Sequence, residues 1–313
     1  MDNKLTKKRL SDFLAYEWIL TLIVAVAAIV LWELVYTVSA VRLTTGQSFK
    51  YYFDENVSSL GDGAFYTMLS DDVFSYDVKE LSSEQLTSKY NVLSTRLSVY
   101  EGDVIFTDTV ENESQPVRAK TLADSYGYNY ERLLSDAEEY VSQFYTDGKL
   151  DDGKIQAHFN ERARKRVYKN ALKSGEISVA DEIKRIEKLE KEIADFKKLL
   201  SNDKDGLFFR YTRYEQTLAS VDDKNKASYE KLFNAEKENG RENAVYGLNL
   251  GALTGGKTDV TKFVKLNGEN GSAENVTLLV FDFKDEQPDL QYEVISFINA
   301  LVRNCSDILG GAE

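Results

Sequence analysis

Trp18-Ile-Leu-Thr-Leu-Ile-Val-Ala-Val-Ala-Ala-Ile-Val-Leu-Trp32-Glu33-Leu34-Val-Tyr-Thr-Val-Ser-Ala-Val41 is the stretch from which the rest of the chain has to be read. Its apolar length matches the ~20 residues a helix needs to cross about 30 Å of hydrocarbon. Trp18, Trp32 and Tyr36 suit the headgroup level, where rings with one apolar and one polar side collect. A secretory signal would share the basic start, and Val38-Ser39-Ala40 offers small residues for cleavage, but the apolar run is long and carries on past Glu33, which favours an uncleaved anchor over a cleaved signal. The reading is a transmembrane helix over 18–41. Lys4, Lys7, Lys8 and Arg9 precede it, and only Arg42 and Lys50 follow closely, so the basic excess places residues 1–17 in the cytoplasm as a short leader. The chain is then expected in the cell membrane as a single-pass protein, extracellular from about residue 42. Glu33 is expensive in lipid; it either reaches the outer headgroups or contacts a partner membrane helix.

Residues 42–313 are enough for one large or two ordinary domains. A chain that is 42% hydrophobic and 12% aromatic has the material for a core. The formal net charge of -13 argues against nucleic acid or anionic lipid, which require clustered Lys and Arg. Cys305 is the single cysteine, so no intrachain disulfide forms, and it reads as a small buried residue. Two prolines, Pro116 and Pro288, suit a helix-rich fold.

From Thr44 short strands and helices alternate. Ser48–Phe53 is aromatic and β-favouring, Val57–Leu69 has apolar residues at helical spacing, and Val73–Val78 alternates as a strand does. Ser82-Ser-Glu-Gln85 resembles a capping box ahead of a helical stripe at Leu86, Tyr90, Leu93 and Leu97. Val104–Thr107 is a short apolar strand closing at Asp108. This β-α-β-α-β order predicts a parallel sheet with ligands at the carboxyl ends of its strands.

Between 129 and 240 the apolar positions fall at helical spacing. Leu133, Leu134, Ala137, Tyr140, Val141 and Phe144 mark one helix. Ile155–Leu172 marks a second, with Arg162, Arg164, Lys165 and Arg166 on a basic face. Ser178 caps a third, where Ile186, Leu189, Ile193, Phe196 and Leu200 repeat as in a coiled-coil seam. That seam is too short for a free rod, so a hairpin onto Phe208, Tyr211, Tyr214 and Leu218 is expected. Strand character returns at Ala244–Leu250 and, most strongly, at Val276–Phe283. A turn at Gly251–Gly256 and a short helix or loop at Thr258–Leu266 lie between, and Asp285-Glu-Gln-Pro288 leads into a helix carrying Tyr292, Ile295, Ile298 and Leu301.

Enzyme chemistry has little to stand on. His158, the one histidine, sits in a charged helical stretch, and Cys305 has no motif around it. No HExxH and no Cys or His cluster is present to hold zinc. Asp71-Asp72 and Asp151-Asp152-Gly153 lack the spacing of an EF-hand loop and read as turns. Leu250-Gly-Ala-Leu-Thr-Gly-Gly-Lys257 fits no phosphate-binding spacing. The expectation is no enzyme, no catalytic residue, no cofactor and no metal. Asn56, Asn112 and Asn275 stand in glycosylation patterns and are expected to be unmodified in a chain of bacterial character.

Tyr246-Gly-Leu-Asn-Leu250, the strand Thr277–Phe283, and Lys284-Asp-Glu-Gln-Pro-Asp289 before the helix with Val294-Ile-Ser-Phe-Ile-Asn-Ala-Leu301 resemble the end of extracellular solute-binding proteins of ABC importers, type II fold. The run ending in Glu101-Gly-Asp-Val-Ile-Phe-Thr-Asp108 is similar to their opening. The resemblance covers 46–110 and 244–303. It departs from the family in having a membrane helix where a lipid-anchoring cysteine is usual, and helices where a second α/β lobe is usual. The fold class expected is α/β: an N-terminal transmembrane helix, then a binding-protein-like extracellular α/β lobe of residues 44–128 and 241–313, with a large, mostly helical insert or second lobe at 129–240. The resemblance implies a solute-binding module of an ABC-type transport system, taking a sugar or other small polar solute and meeting a transporter permease. It would place Asp108, Thr109 and Tyr246 near the cleft, with Tyr126 and Tyr128 to stack on the solute, although such tyrosines often only pack. The alternative is a non-catalytic interaction or scaffold subunit of a membrane or cell-envelope complex, docking through the insert.

Overall fold

The computed structural model describes residues 6–13, 18–39, 48–59, 80–86, 91–111, 116–164, 178–202, 204–267, 272–283 and 292–310. Backbone contacts divide the chain into two compact units, residues 1–42 with 162–176 and residues 43–161 with 177–313.

In the first unit, a short helical segment Lys7–Asp12 comes before helix α1, Trp18–Ser39. Its portion Trp18–Tyr36 is long and apolar enough to cross a membrane, and its large apolar side chains are exposed. Those properties belong to a membrane anchor and to a signal sequence alike. Glu33 lies on this helix with its side chain exposed, between Trp32 and Leu34.

The second unit is α/β. Its strands are β1 (Ser48–Phe53), β2 (Val57–Ser59), β3 (Glu80–Gln85), β4 (Val104–Asp108), β5 (Tyr145–Thr146), β6 (Lys149–Leu150), β7 (Phe208–Tyr211), β8 (Ala244–Asn249), β9 (Val264–Leu266) and β10 (Val276–Val280). Its helices are α2 (Asn91–Leu97), α3 (Arg118–Tyr126), α4 (Tyr130–Ser142), α5 (Asp152–Arg164), α6 (Val179–Leu200), α7 (Glu215–Ser220), α8 (Asp223–Glu238) and α9 (Glu293–Cys305). Among the described residues the main sheet has six strands in the order β3-β1-β4-β10-β8-β7.

Both faces of this sheet are covered, which is why its central strands are apolar throughout instead of alternating with polar residues. On one face Phe49, Tyr51, Phe53, Val104, Phe106, Leu278 and Val280 form a core with apolar residues of α4, α6 and α9. On the other face Tyr52, Ile105, Leu279 and Phe281 pack with Leu93 and Leu97 of α2 and Leu122 and Ala123 of α3. Phe297 of α9 sits at the centre of the larger core, its ring 5.0 Å from Phe49, 6.0 Å from Tyr51 and 6.2 Å from Phe106.

The sheet is mixed, which corrects the all-parallel expectation. β1 runs parallel to β3 and β4, but β10 enters antiparallel to β4 and to β8, and β7 is antiparallel to β8. An apolar run specifies burial on two faces and carries no direction. Ser82–Gln85 opens no helix; it belongs to edge strand β3, pinned by the Gln85 amide donating to the carbonyls of Phe53, Asp54 and Val57. Val57–Ser59 pairs with β9 as a strand where a helix was expected. The remainder of that segment, Val73–Val78 and Asp285–Pro288 lie outside the described residues. Phe208–Tyr211 is likewise a strand, and α6 packs against α4 and α9 instead of closing a hairpin onto it. The register between β7 and β8 shifts opposite Tyr246, whose ring packs in the smaller core.

Truncating Phe297 to alanine should remove the hub of the larger core and destabilise the protein by about 3–5 kcal/mol. Urea titration of the full chain with intrinsic fluorescence measures this; a loss under 1 kcal/mol would show that the sheet does not depend on α9 for cover.

Candidate functional site

The carboxyl ends of β1, β3 and β4 are where an α/β sheet ordinarily holds its ligand. Here they hold one another. Asp54, following β1, is 1% exposed. Its carboxylate accepts from Thr107 Oγ1 at 2.8 Å, from Arg118 Nε at 2.8 Å and Nη2 at 3.3 Å, and from the Glu55 amide at 3.0 Å. Asp108, also buried, accepts from Asn56 Nδ2 at 3.0 Å and the Val110 amide at 3.3 Å. These bonds tie the loop after β1 to β4 and α3, and they spend the polar groups there on structure.

The five residues nominated for a solute are not brought together. Asp108 and Thr109 lie at the carboxyl end of β4, where Thr109 donates from its amide and hydroxyl to the Asn275 carbonyl at 2.9 and 3.3 Å. Tyr126, Tyr128 and Tyr246 lie at the other end of the sheet, beside the exit of β10: the Tyr128 amide donates to Val280 O, and Asp282 N donates to Tyr126 O. Tyr128 is buried and donates to Asp136 at 2.5 Å; its ring lies under the Arg132 guanidinium at 5.4 Å, and burial pushes its hydroxyl pKa well above the usual range. Tyr246 is 1% exposed in the smaller core.

The amino end of β1, β3 and β4 is built differently. The turn leading into β4 takes left-handed conformations at Tyr100 (φ 57°) and Gly102 (φ 118°). A Cβ on Gly102 would fall 2.3 Å from Tyr52 Cε2, so only glycine lets this turn close over the tyrosine ring. The Tyr52 hydroxyl donates to the Glu101 carbonyl at 3.1 Å, and Lys50 Nζ lies 5.3 Å from the centre of the ring. Lys50 Nζ reaches Glu101 at 2.6 Å and Glu84 at 2.8 Å; Arg96 reaches Glu101 at 2.9 Å and Glu84 at 3.8 Å.

The electrostatics follow from these contacts. Burial opposes the charge on Lys50, but the hydrogen bonds to Glu101 and Glu84 outweigh it and hold the ammonium above its ordinary pKa. The bond from Lys50 holds the Glu101 carboxyl below its ordinary range. Burial pushes Tyr52 up to about 12. Asp103 exchanges two bonds with Lys50, its amide donating to Lys50 O at 2.8 Å and its Oδ2 accepting from Lys50 N at 2.7 Å. Burial pushes its carboxyl up to about 7. Lys50, Glu101, Gly102 and Asp103, with Ser48, Glu80, Ser82 and Tyr100, line a polar cavity of about 360 Å³. The sequence signal for it was Glu101-Gly-Asp103, which reads as the end of a helix until β1 and β3 are set beside it.

The other sequence features resolve into packing. His158 lays its ring against Tyr140, Phe144 and Phe159, and Cys305 is buried in α9, where burial raises its thiol to about 12. Asp151 caps its own turn by accepting from the amides of Gly153 and Lys154, while Asp71-Asp72 lies outside the described residues. Gly256 lets the glycine-rich turn touch the end of α9, since a Cβ there would meet the Cys305 backbone at 2.3 Å. Compared with models of protein families, with curated proteins and with solved structures, the chain matches none.

Two outcomes are expected. Arg118→Met should leave Asp54 buried beside an apolar chain and destabilise the protein by about 3–5 kcal/mol, read by chemical denaturation. Asp103, whose pKa is raised on folding, favours the folded state fully below the unfolded value of about 4 and loses that contribution as pH rises to about 7. Asp103→Asn should therefore gain stability relative to the parent between pH 4 and 7, with a constant difference above; a pH-independent difference would show that Asp103 ionises normally.

Proposed function

We propose that this chain is a membrane-anchored extracellular binding module for a small polar solute, acting without covalent chemistry. The observation that carries the reading is the amino-end cavity. Its volume falls within the ~300–1,000 Å³ range of ligand pockets, and its charged and hydroxyl groups stand on the ends of β1, β3 and β4 or on the turn that glycine closes against Tyr52. The seat is at the opposite end of the sheet from the one the resemblance to solute-binding proteins implies. An uncleaved α1 would hold the module at the membrane, with the N-terminus cytoplasmic, in reach of an ABC-type permease.

A second reading has its own support. A groove of about 540 Å³ runs between α4, the β5–β6 hairpin and α6, with Val141, Tyr145, Ile193 and Ala194 along it. It lies within 129–240 and suits a scaffold subunit that docks onto another membrane or envelope protein.

Thermal melts of the detergent-solubilised full chain against sugars, oligosaccharides, amino acids and peptides separate the two. A solute at a hundred times its dissociation constant stabilises the folded state by about 2.7 kcal/mol. A rise in Tm with one chemical class is the expected result; flat melts across the panel would contradict solute binding and leave the scaffold.

A further inference from the structure

We propose that the amino-end cavity takes a small organic cation, a primary amine that also carries hydroxyl groups. This deepens the solute-binding reading and rests on it.

The charges around the cavity point to that class of ligand. The two cations, Lys50 and Arg96, are both engaged by the same two carboxylates, Glu84 and Glu101, within 2.6–3.8 Å, so these four groups neutralise one another. Two further carboxylates line the cavity, Glu80 and Asp103. Glu80 is exposed at the start of β3. Asp103 uses Oδ2 to accept from the Lys50 amide, and its Oδ1 has no donor among the described residues. Among the described residues the site therefore carries more negative than positive charge, beside a carboxylate that burial already disfavours in its ionised form. A ligand ammonium relieves that deficit and brings donors for Asp103 and Glu80.

The competing ligand classes fit less well. An anion would meet Glu80 and Asp103 while Lys50 and Arg96, the cations nearby among the described residues, are already paired. A metal ion needs three or more converging ligands, and no group of three or more His, Cys, Asp or Glu among the described residues is placed to hold one. A neutral sugar would leave the Asp103 charge uncompensated. The hydroxyls of Ser48, Ser82 and Tyr100 on the cavity wall suit a ligand that carries hydroxyls of its own. A cavity of about 360 Å³ suits one sugar-sized molecule.

The test uses the full chain in detergent micelles and three ligands that share one ring and differ in charge: glucosamine, glucose and glucuronate, with methylammonium and putrescine as hydroxyl-free amines. Binding is measured by calorimetry and by Tm. Glucosamine should bind at least tenfold more tightly than glucose, and glucuronate should not bind. Asp103→Asn, which keeps an acceptor for the Lys50 amide, should weaken glucosamine at least tenfold without loss of secondary structure; Ser82→Ala, on the same wall, should weaken it less and leave the amine preference in place. Equal binding of glucose and glucosamine, indifferent to Asp103→Asn, would overturn the cation assignment while leaving a polar-solute site. A preference for glucuronate would overturn it in the same way. No binding by any of the five would overturn both the assignment and the solute-binding reading.

Discussion

Every side chain of β10, from Val276 to Val280, is buried, and the second unit depends on that burial. A fully buried strand must be paired along both edges and covered on both faces. β10 meets the first condition by lying antiparallel between β4 and β8, which joins residues 48–108 to 244–249 in one sheet. It meets the second by sending Leu278 and Val280 into the core under α4, α6 and α9, and Leu279 into the core under α2 and α3. The polar Thr277 is tolerated because its hydroxyl donates to the Leu248 carbonyl at 3.2 Å, and Gly247 makes room for it: a Cβ there would lie 2.5 Å from Thr277 Oγ1.

Once the centre of the sheet is fixed in this way, its two ends differ in what remains unsatisfied. At the carboxyl end, Asp54 and Asp108 accept from Thr107, Arg118 and Asn56, Gln85 donates to the carbonyls of Phe53, Asp54 and Val57, and the result is a knot between strands and helix. At the amino end, roughly 15 Å away along β4 at ~3.3 Å per residue, the charges of the described residues do not balance: Lys50 and Arg96 stand among Glu80, Glu84, Glu101 and Asp103. A turn with two left-handed residues closes over Tyr52 and leaves Asp103 half-buried with a backbone amide as its donor. Strain and an uncompensated carboxylate in one place are features that packing alone does not call for.

How much of this could be read from the sequence depends on whether the signal was local. The strands at 48–53, 104–108, 244–249 and 276–280 and the helices at 91–97, 130–142, 179–200 and 293–305 each have an apolar pattern of their own, and each was legible. β3 was not, because Ser82-Ser-Glu-Gln85 has no apolar alternation and is a strand through its parallel pairing with β1, which Gln85 and Glu84 reinforce by reaching the loop after β1 and Lys50. β7 was missed because Phe208 and Tyr211 suit a helix stripe as well as an edge strand. Strand direction is the deeper loss. With β10 antiparallel, the solute candidates Asp108 and Thr109 part from Tyr126, Tyr128 and Tyr246, and no pattern within ten residues of any of them records that. The cavity residues Lys50, Glu80, Glu101 and Asp103 come from three separate segments, so their meeting is a property of the pairing of β1 with β3 and β4.

The central claim is that the amino end of the sheet is the open, functional end and the carboxyl end is closed. Carbon-13 NMR of the aspartate carboxyls, followed through a glucosamine titration of the full chain, tests it most directly. The account predicts that the Asp103 resonance moves and that its pKa falls from about 7 as the ammonium binds, while Asp54 and Asp108 stay where they were. Movement of Asp54 or Asp108 with Asp103 unchanged would place the ligand at the other end of the sheet and contradict it.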